Sequence, residues 1–219
     1  MTINESIFNN NNALNGGVIY LNIIKNDNKT IKNQNKNDVE IMNSLFIENK
    51  AEKFGGAIYS DFINMNIFNI TNSSFVENNA YAGGAIYIND FDDVDDDDNN
   101  NKENLLSNYE DFFNDIKFIN NTSDSHGDDY ASKPYKINLI SPQSEKLMIR
   151  NGDHISMDFN LIDMFNQTIQ DVSKYYSNIM LNMVYDSNIY NNIKVVGNGC
   201  IFSRGIKIFF IYLKIFNKY

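Results

Sequence analysis

The sequence predicts an all-β chain: a right-handed parallel β-helix of about four coils, the last degenerate, followed by an Ig-like β-sandwich. Three observations carry this. The first is an internal repeat. Phe8 to Tyr20 reads FNNNNALNGGVIY, Phe46 to Tyr59 reads FIENKAEKFGGAIY, and Phe75 to Tyr87 reads FVENNAYAGGAIY. A damaged fourth copy, FINNTSDSHGDDY, begins at Phe118. Self-similarity at periods of about 20 to 50 residues signals stacked units. The second is a Gly-Gly pair in each intact copy (Gly16-Gly17, Gly55-Gly56, Gly83-Gly84), placed where the chain needs unusual φ or has no room for a Cβ. The third is a change of texture after Pro134, where alternating strands replace the repeat.

Within one copy, a single large apolar residue is held in register at Phe8, Phe46 and Phe75. One copy cannot bury that ring alone, but stacked copies bury a column of rings beside a column of Ala and Ile. Asn11, Asn49, Asn78 and Asn121 fall where a strand turns, so their side chains can bond each other and the turn backbone.

The β-helix is assigned to residues 1–132. Loop insertions at 22–38 and 90–111 both follow the GGxIY strand, and insertions in solenoids map to one face. The first insertion is basic, with Lys25, Lys29, Lys32 and Lys36. The second carries Asp92, Asp93 and Asp95 to Asp98, and a like-charge block of this kind reads as a solvated acidic loop. As a calcium loop it fails: counting from Asp93, the central glycine position is Asp98 and the bidentate glutamate position is Asn104. In the fourth copy Gly127 keeps the glycine, while Asp128 and Asp129 replace Gly-Ala. Charges there are costly to bury, so the copy reads as a cap that ends the stack. His126 reads as a solvated turn residue.

Residues 133–219 are expected to form the sandwich, whole or truncated. Lys136 to Ile140, Met148 to Arg150, Asn178 to Tyr185 and Asn192 to Val196 read as strands. Ile155, Met157, Phe159 and Leu161 alternate with polar residues as in a half-buried strand, and Asp163 to Asn166 makes a turn. The apolar stretch 206–216 is far shorter than the roughly 20 residues of a spanning helix; it reads as a last strand, with a truncated anchor and translated non-coding sequence as the alternatives.

The paired FxxN and GGA(I/L/V) signatures resemble the repeats of chlamydial polymorphic outer membrane proteins, over about residues 1–130. That resemblance implies a β-helical passenger at a cell surface, used for adhesion, and it carries no catalytic residues. In the second part, Gly152, Ile155, Leu161, Asp163, Phe165, Asn166 and Ile169 resemble an element of invasin-type bacterial Ig-like domains, except that Phe165 stands where the family has Gly.

Composition narrows the classes. A net charge of −10 argues against nucleic-acid binding, since phosphate contacts need Lys and Arg. With 40 Asn, runs such as Asn9 to Asn12 carry little weight. The lone Cys200 excludes an internal disulfide. The first residues read as strand and not as an export signal, so the chain is expected to be a fragment, a truncated gene model or the product of a start codon placed downstream of the true one. Enzymes of this fold class use basic residues or paired carboxylates. The intact coils offer Lys50 and Lys53, expected at a turn, while Arg150 and Arg204 lie outside them. Glu48 and Glu77 occupy equivalent positions on neighbouring coils, near enough for a glycosidase pair, yet read as exposed positions of a repeated strand. No catalytic, cofactor or metal residue is assigned. The expected function is non-catalytic adhesion or binding at the cell surface or outside the cell, toward a glycan or protein ligand. Membrane contact is expected only through an anchor not present in the chain. The alternative is a carbohydrate-active β-helix enzyme, a lyase or glycosidase, whose site lies outside the chain.

Overall fold

The computed structural model describes residues 1–22, 39–60, 68–89, 113, 115–141, 154–155, 158–176, 193–196 and 213–217. They fall into two units, 1–133 with 163–167, and 134–162 with 168–219.

The first unit is a stack of rungs. Rung one holds β1 (Thr2–Asn4), β2 (Ile7–Asn9), β3 (Asn12–Asn15) and β4 (Ile19–Leu21). Rung two holds β5 (Val39–Met42), β6 (Leu45–Ile47), β7 (Lys50–Phe54) and β8 (Ile58–Ser60). Rung three holds β9 (Phe68–Thr71), β10 (Ser73–Val76), β11 (Asn79–Ala82) and β12 (Ile86–Ile88). Rung four holds β13 (Ile116–Ile119), β14 (Thr122–His126) and β15 (Tyr130–Ser132). Equivalent strands pair in parallel into four sheets, ordered β1-β5-β9, β13-β10-β6-β2, β14-β11-β7-β3 and β15-β12-β8-β4. These are the stacked parallel strands of a β-helix. The repeat register of the sequence holds residue by residue: Phe8, Phe46, Phe75 and Phe118 align, as do Ile19, Ile58, Ile86 and Tyr130.

Left-handed residues bend the chain between strands. The first corner is Glu5, Asn43 and Asn72, with φ of 50°, 50° and 45°. The second is Asn10, Glu48, Glu77 and Asn120, with φ between 51° and 57°. The third is Gly16, Gly55, Gly83 and Gly127, with φ between 58° and 68°. Asn accepts this region more readily than other side-chain-bearing residues. The second glycine of each pair answers a different need. A Cβ on Gly56 would lie 2.0 Å from the carbonyl oxygen of Gly84 in the next rung.

The Phe column fills the interior. Phe46 and Phe75 are fully buried and stack at 4.6 Å and 4°, with Phe8 and Phe118 continuing the column at 5.0 and 5.6 Å. Beside it lies an asparagine ladder. The Asn49 carboxamide oxygen accepts from the backbone N–H (3.0 Å) and Nδ2 (2.9 Å) of Asn11, while its own Nδ2 donates to the Phe8 carbonyl and the Asn78 oxygen. Asn78 repeats the pattern toward Asn121, and Asn121 Nδ2 then donates to Asp129 Oδ1. A shorter serine ladder runs along the first corner: the Ser6 N–H donates to Ser44 Oγ, and the Ser44 N–H to Ser73 Oγ.

Rung four closes the stack. Asp128 occupies the second-glycine position, where its Cβ points away from rung three, and its carboxylate accepts from Ser123 N–H and Oγ. Asp129 takes the place that the oxygen of a further ladder asparagine would fill. The polar replacements are therefore satisfied, and neither is buried. The segment Asp163–Gln167, assigned from sequence to the second module, packs with the first. Met164 joins the main core cluster. Phe165 lies edge-on to Phe113 and Tyr130, which stack on each other at 4.1 Å.

The second unit holds β16 (Pro134–Ser141) beside β18 (Asp158–Asp163). Its other sheet is β17 (His154–Ile155), β20 (Leu213–Asn217) and β19 (Ile193–Val196), in that order and antiparallel. Leu161 and Ile169 form a small core with Ile137 and Tyr176. Among the described residues the unit has five strands in two sheets, against about seven in an Ig-like sandwich. The strands expected at 148–150 and 178–185, the acidic run 92–98 and most of 206–216 lie outside the described residues.

Candidate interaction face

The residues weighed as catalytic candidates are dispersed. Glu48 and Glu77 share one column, but they stand at the left-handed second corner and not within a strand. Both are exposed, and their backbone N–H groups carry the ladder by donating to Val76 and Ile119 carbonyls. Lys50 and Lys53, expected at a turn, lie in β7. A strand residue there keeps its N–H in the ladder, as Lys50 does toward the Asn11 carbonyl. Arg150 and Arg204 lie outside the described residues.

His126 corrects the sequence reading. It is 5% exposed, in β14, and not a solvated turn residue. Nε2 sits 3.0 Å from the Ser132 carbonyl oxygen, which can only accept, so Nε2 carries the proton. Nδ1 therefore accepts from Ser125 Oγ at 2.9 Å. Both ring nitrogens are satisfied in the interior, which explains how an imidazole replaces the Phe54 and Ala82 of the rungs above. Its neighbour Ser132 donates its N–H to Asp163 Oδ2, and its hydroxyl accepts from the Met164 N–H. Burial pushes the Asp163 carboxyl up to about 6, against N–H bonds from Gln167, Ser132 and Phe165 that pull it down. Among the described residues no group of three or more His, Cys, Asp or Glu side chains converges as a metal site.

The outer surface of the β13-β10-β6-β2 sheet is the most distinctive exposed feature. The Phe column points inward, so the residues on either side of each Phe point out. Those positions hold Ile7, Leu45, Ser74 and Lys117 in one column, and Asn9, Ile47, Val76 and Ile119 in the other. Ile7 is 71% and Ile119 46% exposed, while Leu45, Ile47 and Val76 are half-buried by neighbours in the sheet. The result is an apolar strip on the outside, edged at the second corner by the exposed Glu48 and Glu77. The repeated spacing of Phe and Asn reports the interior and not this outer face. The signal was the unbroken triplet Leu45-Phe46-Ile47, where alternation calls for a polar residue on each side of the Phe.

Among the described residues no helix is long and apolar enough to cross a membrane. The profile of the Chlamydia polymorphic membrane protein (Chlamydia_PMP) repeat matches residues 43–61, the span of rung two from its first corner through β8. No curated protein and no solved structure matches the chain significantly. The parallel stack and the matched repeat agree on one point: this chain carries a repeat of the polymorphic membrane protein type, built as rungs of a β-helix.

Proposed function

We propose that the chain is a non-catalytic binding module of a secreted or surface-displayed adhesion protein. The single observation that carries this reading is the apolar strip of Ile7, Leu45, Ile47, Val76 and Ile119 on the outer face of one sheet. The rungs do not use it for their own packing, and contiguous exposed apolar surface marks interaction sites. The matched repeat, whose family name places it with membrane proteins of Chlamydia, supports a location at the cell surface or outside the cell.

The strip is aliphatic, without the aromatic platform that favours sugar rings, so the ligand class is protein. Glu48 and Glu77 beside it, and a net charge of −10, suit a partner whose apolar residues are flanked by Lys or Arg. The second unit serves as an Ig-like spacer. The antiparallel β17-β20-β19 sheet supports that assignment.

Binding of the purified chain to intact cells, followed by flow cytometry, tests the reading. Ile47→Asp with Ile119→Asp should abolish binding without changing the melting temperature, because neither side chain is in the core. A parallel depolymerisation assay on pectin and related glycans should show no turnover. Turnover that survives the strip variants would overturn the adhesive reading in favour of an enzyme.

A further inference from the structure

Strand β18 of the second unit carries two polar side chains whose oxygens are not satisfied. It reads Asp158-Phe159-Asn160-Leu161-Ile162-Asp163, and successive side chains of a strand point to opposite faces. Leu161 turns to the small core with Ile169, Ile137 and Tyr176, so Asp158 and Asn160 share the other face with Ile162. The Oδ1 atoms of Asp158 and Asn160 are both shut off from solvent and both lack a hydrogen-bond partner. Three side-chain oxygens of this kind occur among the described residues, and two of them stand on one strand face, two residues apart.

The orientation of Asn160 follows from its other half. Asn160 Nδ2 donates to Thr168 Oγ1 at 3.2 Å, and Thr168 is held by an antiparallel bridge to Ile162, the next residue on the same face. The carboxamide thus uses its donor on Thr168 and presents its oxygen elsewhere. A carboxylate oxygen and a carboxamide oxygen are both acceptors, so they cannot satisfy each other. Native folds leave few buried acceptors bare, and those that remain call for an ordered water or an ion. The donor set discriminates among ions. One anionic and one neutral oxygen, without thiolate or imidazole, form a hard set that suits calcium or magnesium and not zinc or copper. Calcium accepts flexible geometry and mixed carboxylate and carbonyl ligands, whereas magnesium demands a near-ideal octahedron.

We propose that Asp158 Oδ1 and Asn160 Oδ1 are two ligands of a calcium site on β18, with water completing the coordination shell. The site is weak by construction. A tight site gathers several acidic side chains, and no group of three or more His, Cys, Asp or Glu converges among the described residues. One carboxylate places the affinity in the range of extracellular modules, about 10⁻⁴ to 10⁻³ M. Calcium bound there orders β18 and, through Asn160 and Thr168, the return of the chain beside it. This inference is independent of the adhesive strip, whose residues all belong to the first unit.

Calorimetric titration of the full chain with calcium chloride tests it, with magnesium chloride at equal ionic strength as the control. The expected result is saturable calcium binding in the millimolar range that magnesium does not reproduce. Asp158→Asn, which keeps the shape and removes the charge, should weaken it at least tenfold. Asn160→Asp adds a second carboxylate to the set and should tighten binding by roughly tenfold, since affinity follows the number of charged ligands. Without calcium that variant should melt lower, because two carboxylates repel, and calcium should restore the loss. No calcium heat up to about 10 mM overturns the proposal. Binding that persists undiminished in Asp158→Asn also overturns it, by placing the ion elsewhere in the chain, as in the acidic run 92–98. A destabilised Asn160→Asp that calcium does not rescue overturns it as well, by assigning the two oxygens to a buried water.

Discussion

Replacing Asn78 by Ala isolates what the buried ladder contributes. The side chain is fully buried. Its oxygen accepts from the Asn49 N–H and Nδ2, both at 3.0 Å, and its Nδ2 donates to the Phe46 carbonyl and to Asn121 Oδ1, again at 3.0 Å. Four bonds at about 1 kcal/mol each account for about 4 kcal/mol. The Asn49 N–H is then left buried without a partner, and orphaning such a group costs about 1 to 3 kcal/mol more. The neighbours relax in part, so the expected loss is about 4 to 6 kcal/mol, a large share of a typical domain's total of about 5 to 15. The comparison variant is Asn72→Ala. That asparagine is exposed, donates to Asn43 Oδ1 at 2.7 Å, and sits at φ 45°. Its loss removes one solvated bond and places Ala in the left-handed region, for about 1 to 2 kcal/mol in total. Urea unfolding of both variants, with the slope held constant, measures the difference. A loss below about 2 kcal/mol for Asn78→Ala, or one no larger than for Asn72→Ala, refutes the view that the interior ladder fixes the rungs. In a double-mutant cycle, Asn49→Ala with Asn78→Ala should fall short of additivity by about 1 to 2 kcal/mol, because the two share bonds.

Phe75→Ala removes the central, fully buried ring of the Phe column and should cost about 3 to 5 kcal/mol by chemical denaturation. Glu77→Gly should stabilise the fold by roughly 0.5 to 1 kcal/mol, since it relieves a glutamate at φ 53° that is exposed; a lowered melting temperature would contradict the corner assignment. Asp163 makes unit one more stable in mild acid. Its folded carboxyl, raised from 3.8 to about 6, holds its proton where the unfolded chain has lost it, so stability falls as pH rises from 3.8 to 6 and is flat above. Moving from pH 7 to pH 5 should add about 1 kcal/mol, a gain that thermal melts should find abolished in Asp163→Asn.

The sequence makes a stack legible because each rung repeats its neighbour's demands. A Phe in register needs a Phe above and below it, and a glycine at position 56 is required because the next carbonyl arrives 2.0 Å from where a Cβ would stand. Such contacts are local in the repeat even when distant in the chain, so spacing alone exposes them. The corners were harder. The sequence places the turn at Asn49 and Asn78, whereas the left-handed residue is the one before each, Glu48 and Glu77. Glutamate has no left-handed preference to announce itself, and only the stack around it holds it there. His126 departs from its sequence expectation for a related reason. A histidine beside Gly127 and Asp128 has the local composition of a turn, and what buries it is the Ser132 carbonyl that satisfies its ring. The Asp163–Gln167 segment had no repeat partner at all. It reads locally as a polar turn, yet Met164 and Phe165 pack at the rung-four end with Phe113 and Tyr130. Repetition encodes the contacts between rungs and is silent about whatever must end them. The ends of a solenoid therefore have to be found by asking which rung groups still lack partners. Applied to rung four, that question leads to Asp129 under the last ladder asparagine.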